Sequence, residues 1–256
     1  MQITDFLKKN QRIIFIFLGI ILFISFWDII ALATSNKYIE EFFYSLYMSF
    51  NYLFKKDTLL AFSYTFFRLF LSLTVSIISG IILGLLAGYF FQIDYLLKPT
   101  LSVIKAFPLI ALLLMFISRF KYYEIIVNFF VIFPLIFYQM SSSTSKIKNK
   151  YNDVLRVDGK NNFIENSVKV ILPLSLNSIL VSILQSIAIA FKAEITIESF
   201  GYSSRSFGLG KLIYQFYSLV EYHQMMYYII ISLCISVVLD VIVTLLIKKI
   251  KTIDCK

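Results

Sequence analysis

Cysteine and histidine are nearly missing from this 256-residue chain, which has two cysteines, Cys234 and Cys255, and one histidine, His223. Cys234 falls in an apolar run and Cys255 at the tail, so neither a disulfide framework nor a paired-cysteine metal spacing can be drawn. A lone histidine with no acidic or cysteine cluster beside it supplies no metal centre, and no Ser/His or Asp/Asp set marks a membrane-embedded enzyme. The sequence contains no GxxxxGK[ST] loop, so it has no phosphate cradle with which to drive ATP hydrolysis itself. Charge is scarce as well. Asp, Glu, Lys and Arg make up 15% of the residues, against about 25% in an ordinary soluble domain. An ordinary globular protein is excluded.

What is present is apolar. Hydrophobic residues make up 59% of the chain and aromatics 18%, with a mean hydropathy of +0.81. A bilayer core of about 30 Å needs about 20 apolar residues per helix, and six runs qualify, at 12–33, 62–91, 100–118, 125–140, 174–194 and 226–247. The fold class is therefore an all-α integral membrane protein with about six spans. The first run resembles a signal peptide in its basic start and its Ala31-Leu32-Ala33 end. Its apolar stretch is longer than the 7–15 residues of such a signal, and it is expected to be a retained helix.

The net charge of +9 calls for no nucleic acid, because cytoplasmic loops of membrane proteins gather Lys and Arg. With both termini inside, fifteen Lys and Arg residues near span ends fall on the inner side and seven on the outer. That asymmetry predicts cytoplasmic N- and C-termini. Residues 35–58, rich in Tyr and Phe, read as an outer connector with an interfacial helix.

Inside the second run Ser72, Ser76, Gly80, Gly84 and Gly88 recur every four positions. They form a smooth stripe on a helix, suited to close helix packing within one subunit, to a dimer seam or to a pathway wall. Pro108 and Pro134 each remove a helix hydrogen bond and are expected to kink or break the third and fourth runs.

Between the fourth and fifth runs lies a polar insertion, DVLRVDGKNNFIENSVKVILP, residues 153–173. Asn152 or Asp153 can cap a short helix that Gly159 ends, and Asn162 with Glu165 has the spacing of a capping box for a second. Ile164, Val168 and Ile171 then share one face, and Pro173 suits the first turn of the next span. A merely solvated loop needs neither paired caps nor an apolar face, so a knob for a cytoplasmic partner is the better reading.

The insertion resembles the cytoplasmic coupling loop of bacterial ABC-importer permeases, whose pattern is Glu-Ala-Ala, a glycine and a closing Ile-x-Leu-Pro. Asp153-Val154-Leu155 stands at the triplet, where both alanines are replaced, Gly159 at the glycine and Leu172-Pro173 at the close. Thr65-Phe66-Phe67-Arg68 with the glycine stripe resembles the nitrate/sulfonate/taurine-type branch of that family. So do Pro99 and Ile104-Lys105-Ala106-Phe107-Pro108 with Ala111, Lys192-Ala193-Glu194, Phe207-Gly208-Leu209-Gly210 and Asp240.

The resemblance implies the type I importer permease fold, with a transmembrane helix and connector at 1–58, a permease core at 59–256 and a coupling loop at 146–172. It implies a second permease copy, expected as a homodimer, a cytoplasmic ABC ATPase that uses ATP and Mg, and an extracytoplasmic substrate-binding protein. The chain itself is expected to bind no cofactor or metal. Asp153, Val154, Leu155, Asp158, Gly159, Ile164, Leu172 and Pro173 would form the coupling element. Glu194, Glu198, Lys192 and Asp240 are the pathway candidates, because charges inside spans usually face an interior or water. For Glu194 and Glu198, interfacial water above the bilayer is the alternative; for Asp240, a bond within its own bundle toward Thr244. An ion-gradient-driven secondary transporter is the rival class, and it would show inverted repeats that are not apparent here.

Overall fold

In the computed structural model, residues 2–34, 38–151, 163–201 and 207–254 are described, with side chains over the same residues except 2–10, 12, 13 and 251–254. Among the described residues there are nine helices and no strand. They are α1 (Gln2–Ala33), α2 (Phe42–Leu53), α3 (Lys56–Tyr89), α4 (Phe91–Ala106), α5 (Leu109–Ile117), α6 (Tyr123–Lys150), α7 (Phe163–Phe200), α8 (Leu209–Ser218) and α9 (Tyr222–Asp254). Helices α1, α3, α6, α7 and α9 are long and apolar enough to cross a membrane, and α4 with α5 makes a sixth span if the pair is counted as one. These correspond to the six apolar runs.

The two prolines behave differently. At Pro108 the helix breaks, and α4 and α5 meet at 95°. Pro134 instead lies inside an uninterrupted α6. One lost backbone bond is tolerated there because Phe133, Pro134 and Phe137 are buried among other helices, where packing rather than the single bond decides the geometry. The fourth run, short by composition, extends through Ser141–Thr144 to Lys150.

The chain divides into two compact units. Residues 1–59 and 212–231 form one; residues 60–211 and 232–256 form the other. In the first unit, Asp28 of α1 accepts a hydrogen bond from the Phe42 amide at 2.8 Å and so satisfies a free N–H at the start of α2. The main-chain carbonyl of Glu40 accepts from the Trp27 indole at 3.1 Å, while its carboxylate accepts from the Tyr227 hydroxyl at 2.6 Å and lies 3.2 Å from His223. Helix α8 closes with the Val220 amide on the Tyr217 carbonyl and the Glu221 amide on the Phe216 carbonyl. This two-bond closure forces Val220 to a φ of 62°, a conformation unfavourable for a β-branched residue.

In the second unit α6 runs along α7, and α3 lies on α6 through the small-residue stripe. A Cβ added to Gly84 would sit 2.7 Å from the Met140 Cβ and 2.8 Å from the Phe137 carbonyl oxygen; Gly80 and Gly88 face Ile136 and Thr144 in the same way. Ser76 is also fully buried. The three glycines therefore serve helix packing within the chain, bringing two backbones closer than any side chain would allow.

Candidate functional site

The sequence spacing that puts Glu194 and Glu198 on one face of α7 aims both at Arg68 of α3. The Arg68 Nε donates to Glu194 Oε1 at 3.1 Å, and its Nη2 donates to Glu198 Oε1 and to the Phe207 carbonyl, the latter at 2.9 Å. A planar guanidinium meets all three acceptors from two separate nitrogens in a fixed fork, whereas an ammonium would have to serve them from a single point. The remaining oxygens are also held. Asn128 of α6 donates to Glu194 Oε2 at 2.8 Å, and the Gly210 amide donates to Glu198 Oε2 at 2.9 Å. The Thr65 hydroxyl, 2.9 and 3.0 Å from the two Glu198 oxygens, donates to that carboxylate and accepts from the Leu209 amide at 3.0 Å. Both glutamates are 0% exposed within the chain. One cluster thus ties α3, α6, α7 and the start of α8 together.

Lys192 and Asp240 lie elsewhere and are exposed. They pair at 2.7 Å with side chains 54% and 46% accessible. The Thr244 hydroxyl donates to the Asp240 main-chain carbonyl, so the expected bond toward Thr244 involves backbone, and the carboxylate belongs to Lys192. Beside Lys192, at the break between α4 and α5, is an open cavity of about 450 Å³, walled by Lys105, Phe107, Val131, Leu135, Lys192 and Thr196 among others.

Of the coupling residues, Asp153, Val154, Leu155, Asp158 and Gly159, and the cap at Asn162, lie outside the described residues. From Phe163 onward the segment is continuous with the span, with Leu172 and Pro173 inside the single helix α7. The shared face of Ile164, Val168 and Ile171 requires correction. Ile164 and Val168 are exposed, but Ile171 is completely buried. The reason is a π turn at Ser167–Ile171, where the Leu172 amide bonds to the Ser167 carbonyl. It holds more residues per turn than an α-helix and so rotates Ile171 off the stripe. The wider turn also suits Pro173, whose ring would press on the Lys169 carbonyl in a regular helix.

The ends of α3 and α6 grip this start of α7. The Tyr89 ring packs on Phe163 with centroids 4.9 Å apart, and its hydroxyl accepts from Asn166 at 3.4 Å. Lys148 lies 4.4 Å above the same ring and donates to the Tyr89 carbonyl at 2.6 Å.

The sequence pattern of the family described as binding-protein-dependent transport system inner membrane component matches residues 80–252. The chain belongs to that family. It is a permease component of an ABC-type transporter and a multi-pass protein of the inner membrane. No individual curated protein matches the sequence. The match begins at Gly80, so Thr65 and Arg68 precede it.

Thr65 and Arg68 stand together in one sequence motif, but no local pattern connects them with the glutamates. One signal is available: an arginine inside an apolar run calls for a polar partner or water within the bundle. Asn128 carries no comparable local signal.

Proposed function

We propose that this permease is the translocation subunit of an ATP-driven importer, with residues 146–172 docked on a cytoplasmic ABC ATPase. The single observation that supports it best is the continuity of α7. Its 38 residues extend about 57 Å, well beyond the bilayer core of about 30 Å. Its projecting start exposes Ile164 and Val168, at 74% and 57%, and its buried length carries Glu194 and Glu198. Force applied at the exposed end would reach the ion cluster through one rod, a rigid-body mode of switching access.

The permease core of this reading runs from 59 to 256, both termini are cytoplasmic, and a second copy of the chain completes the pathway. An extracytoplasmic binding protein delivers a small solute of the nitrate, sulfonate, taurine or thiamine-precursor class. Hydrolysis of ATP with Mg belongs to the ATPase, and the permease supplies no catalytic group. Lys192 and Asp240 are the pathway charges, because they are exposed within apolar helices and lipid does not favour them there.

The test is Gly159→Val, made in the permease co-expressed with its ATPase. The sequence pattern leads one to expect that Gly159 ends a helix in a left-handed conformation, which would cost a non-glycine residue about 1–2 kcal/mol. The expected result is a protein that inserts normally but recovers less ATPase on co-purification, or transports less solute per ATP hydrolysed. Normal values of both would reject docking through this segment.

A further inference from the structure

The cavity at the α4–α5 break can be placed in depth from contacts along α6. Going up α4, Asp94 accepts from the Ser141 hydroxyl at 2.9 Å, the Lys98 carbonyl accepts from Tyr138 at 2.9 Å, and Ser102 meets the Tyr138 hydroxyl at 2.8 Å. Leu101 then packs with Phe133 and Phe137, and Lys105 shares the cavity with Val131 and Leu135. Helix α4 therefore climbs antiparallel to α6, and Lys105 arrives opposite the centre of the 125–140 apolar run.

Two further helices bring charges into the same apolar thickness. On α7, Asn128 of α6 reaches the Ala190 carbonyl and Glu194, which brackets Lys192. On α9, Asp240 lies close to the middle of the apolar helix Tyr222–Ile250 and pairs with Lys192. Lys105, Lys192 and Asp240 thus all lie within the apolar thickness. Lys192 is at the level of Asn128 and so toward the outer end of the α6 apolar run. Lys105 is nearer its middle, with its ammonium turned toward Tyr138.

At that depth an exposed ammonium cannot face lipid without a large cost, so the surface that carries it faces water or another polar chain. Lys192 is neutralised by Asp240. Lys105 has no carboxylate within ion-pair distance among the described residues; its ammonium lies 5.5 Å from the Tyr138 ring centre. In secondary transporters, broken helices within the membrane line the solute site, and the α4–α5 break offers a wall of the same kind here. The remaining wall is mostly apolar, formed by Phe107, Leu112, Val131, Leu135 and Ile189, and the cavity carries one uncompensated positive charge.

We propose that the cavity at the α4–α5 break is a water-filled holding site on the translocation route, and that Lys105 makes it select small solutes bearing an anionic group. This rests on the transport reading but not on ATPase docking, so the two fail separately.

The test uses the full chain in membranes, with Cys234 and Cys255 replaced by serine, and Thr196→Cys as the reporter on the cavity wall. Its modification rates by a sulfonate-bearing and a trimethylammonium-bearing methanethiosulfonate are compared, each relative to a free thiol in solution. Both reagents are expected to react, the anionic one faster. Lys105→Gln should lower the anion-to-cation rate ratio roughly tenfold, about what one unit charge does at several ångströms in a partly wet site, and Lys105→Arg should restore it. No reaction with either reagent would show a lipid-facing wall and overturn the site. A ratio that favours the cation, or one that Lys105→Gln leaves unchanged, would overturn the role of Lys105. Should Lys105→Gln fail to insert, the ratio in the chain that retains Lys105 decides alone: anion preference supports the site, and its absence overturns it.

Discussion

Replacing Arg68 by Met tests the buried cluster most directly, because the methionine keeps much of the side-chain volume and removes all three hydrogen bonds. Two of those bonds go to carboxylates that are 0% exposed. Charge-assisted bonds contribute about 1.5–3 kcal/mol each, which bounds the gross loss for the two at about 6 kcal/mol. Removing the guanidinium from its buried site offsets part of this. Glu194 keeps Asn128, and Glu198 keeps Thr65 and the Gly210 amide, so neither carboxylate is stripped bare. A net cost of about 3–5 kcal/mol is expected, the usual range when one partner of a buried pair is lost. Reversible unfolding in mixed detergent micelles, followed by circular dichroism, measures it. Arg68→Met combined with Glu198→Gln should cost less than Arg68→Met alone, since the second change removes an unpaired charge. Amide exchange at Leu209 and Gly210 should rise in Glu198→Ala, because Gly210 donates directly to that side chain. A cost below about 1 kcal/mol for Arg68→Met, or no relief in the double variant, would refute the view that this cluster fastens the helices.

The same unfolding assay checks two backbone predictions. Gly84→Val places a side chain against Met140 and the Phe137 carbonyl and should cost about 1–3 kcal/mol by overpacking, whereas Gly19→Val, with nothing within 4 Å of its added Cβ, should be close to neutral; equal effects would contradict the α3–α6 contact. Val220→Gly should stabilise by about 1 kcal/mol, because glycine accepts the φ of 62° without the steric cost of a β-branched residue, and a destabilised variant would mean that the Val220 side chain contributes more than its backbone costs.

Composition and local periodicity determined much of this protein. Six apolar runs are visible because bilayer crossing depends on transfer free energy summed along about 20 residues, a quantity the sequence contains in full. Pro108 is legible as one of two candidate breaks because a missing N–H and a ring clash are local, and the shared face of Glu194 and Glu198 follows from helical spacing alone. Only the tertiary structure decided what those features meet. Arg68 lies 126 residues before Glu194, and no local pattern states which buried cation answers which buried anion. Pro134 carries the same chemistry as Pro108, yet its helix continues, since packing around Phe133 and Phe137 overrides one missing bond. The π turn moved Ile171 from an exposed stripe into the core, a rotation no regular period predicts. Lys105 looks in sequence like one more basic residue beside an inner loop; the antiparallel course of α4 along α6 carries it to the level of Val131. Local rules describe one helix at a time, whereas the depth and pairing of a charge are properties of helices packed together.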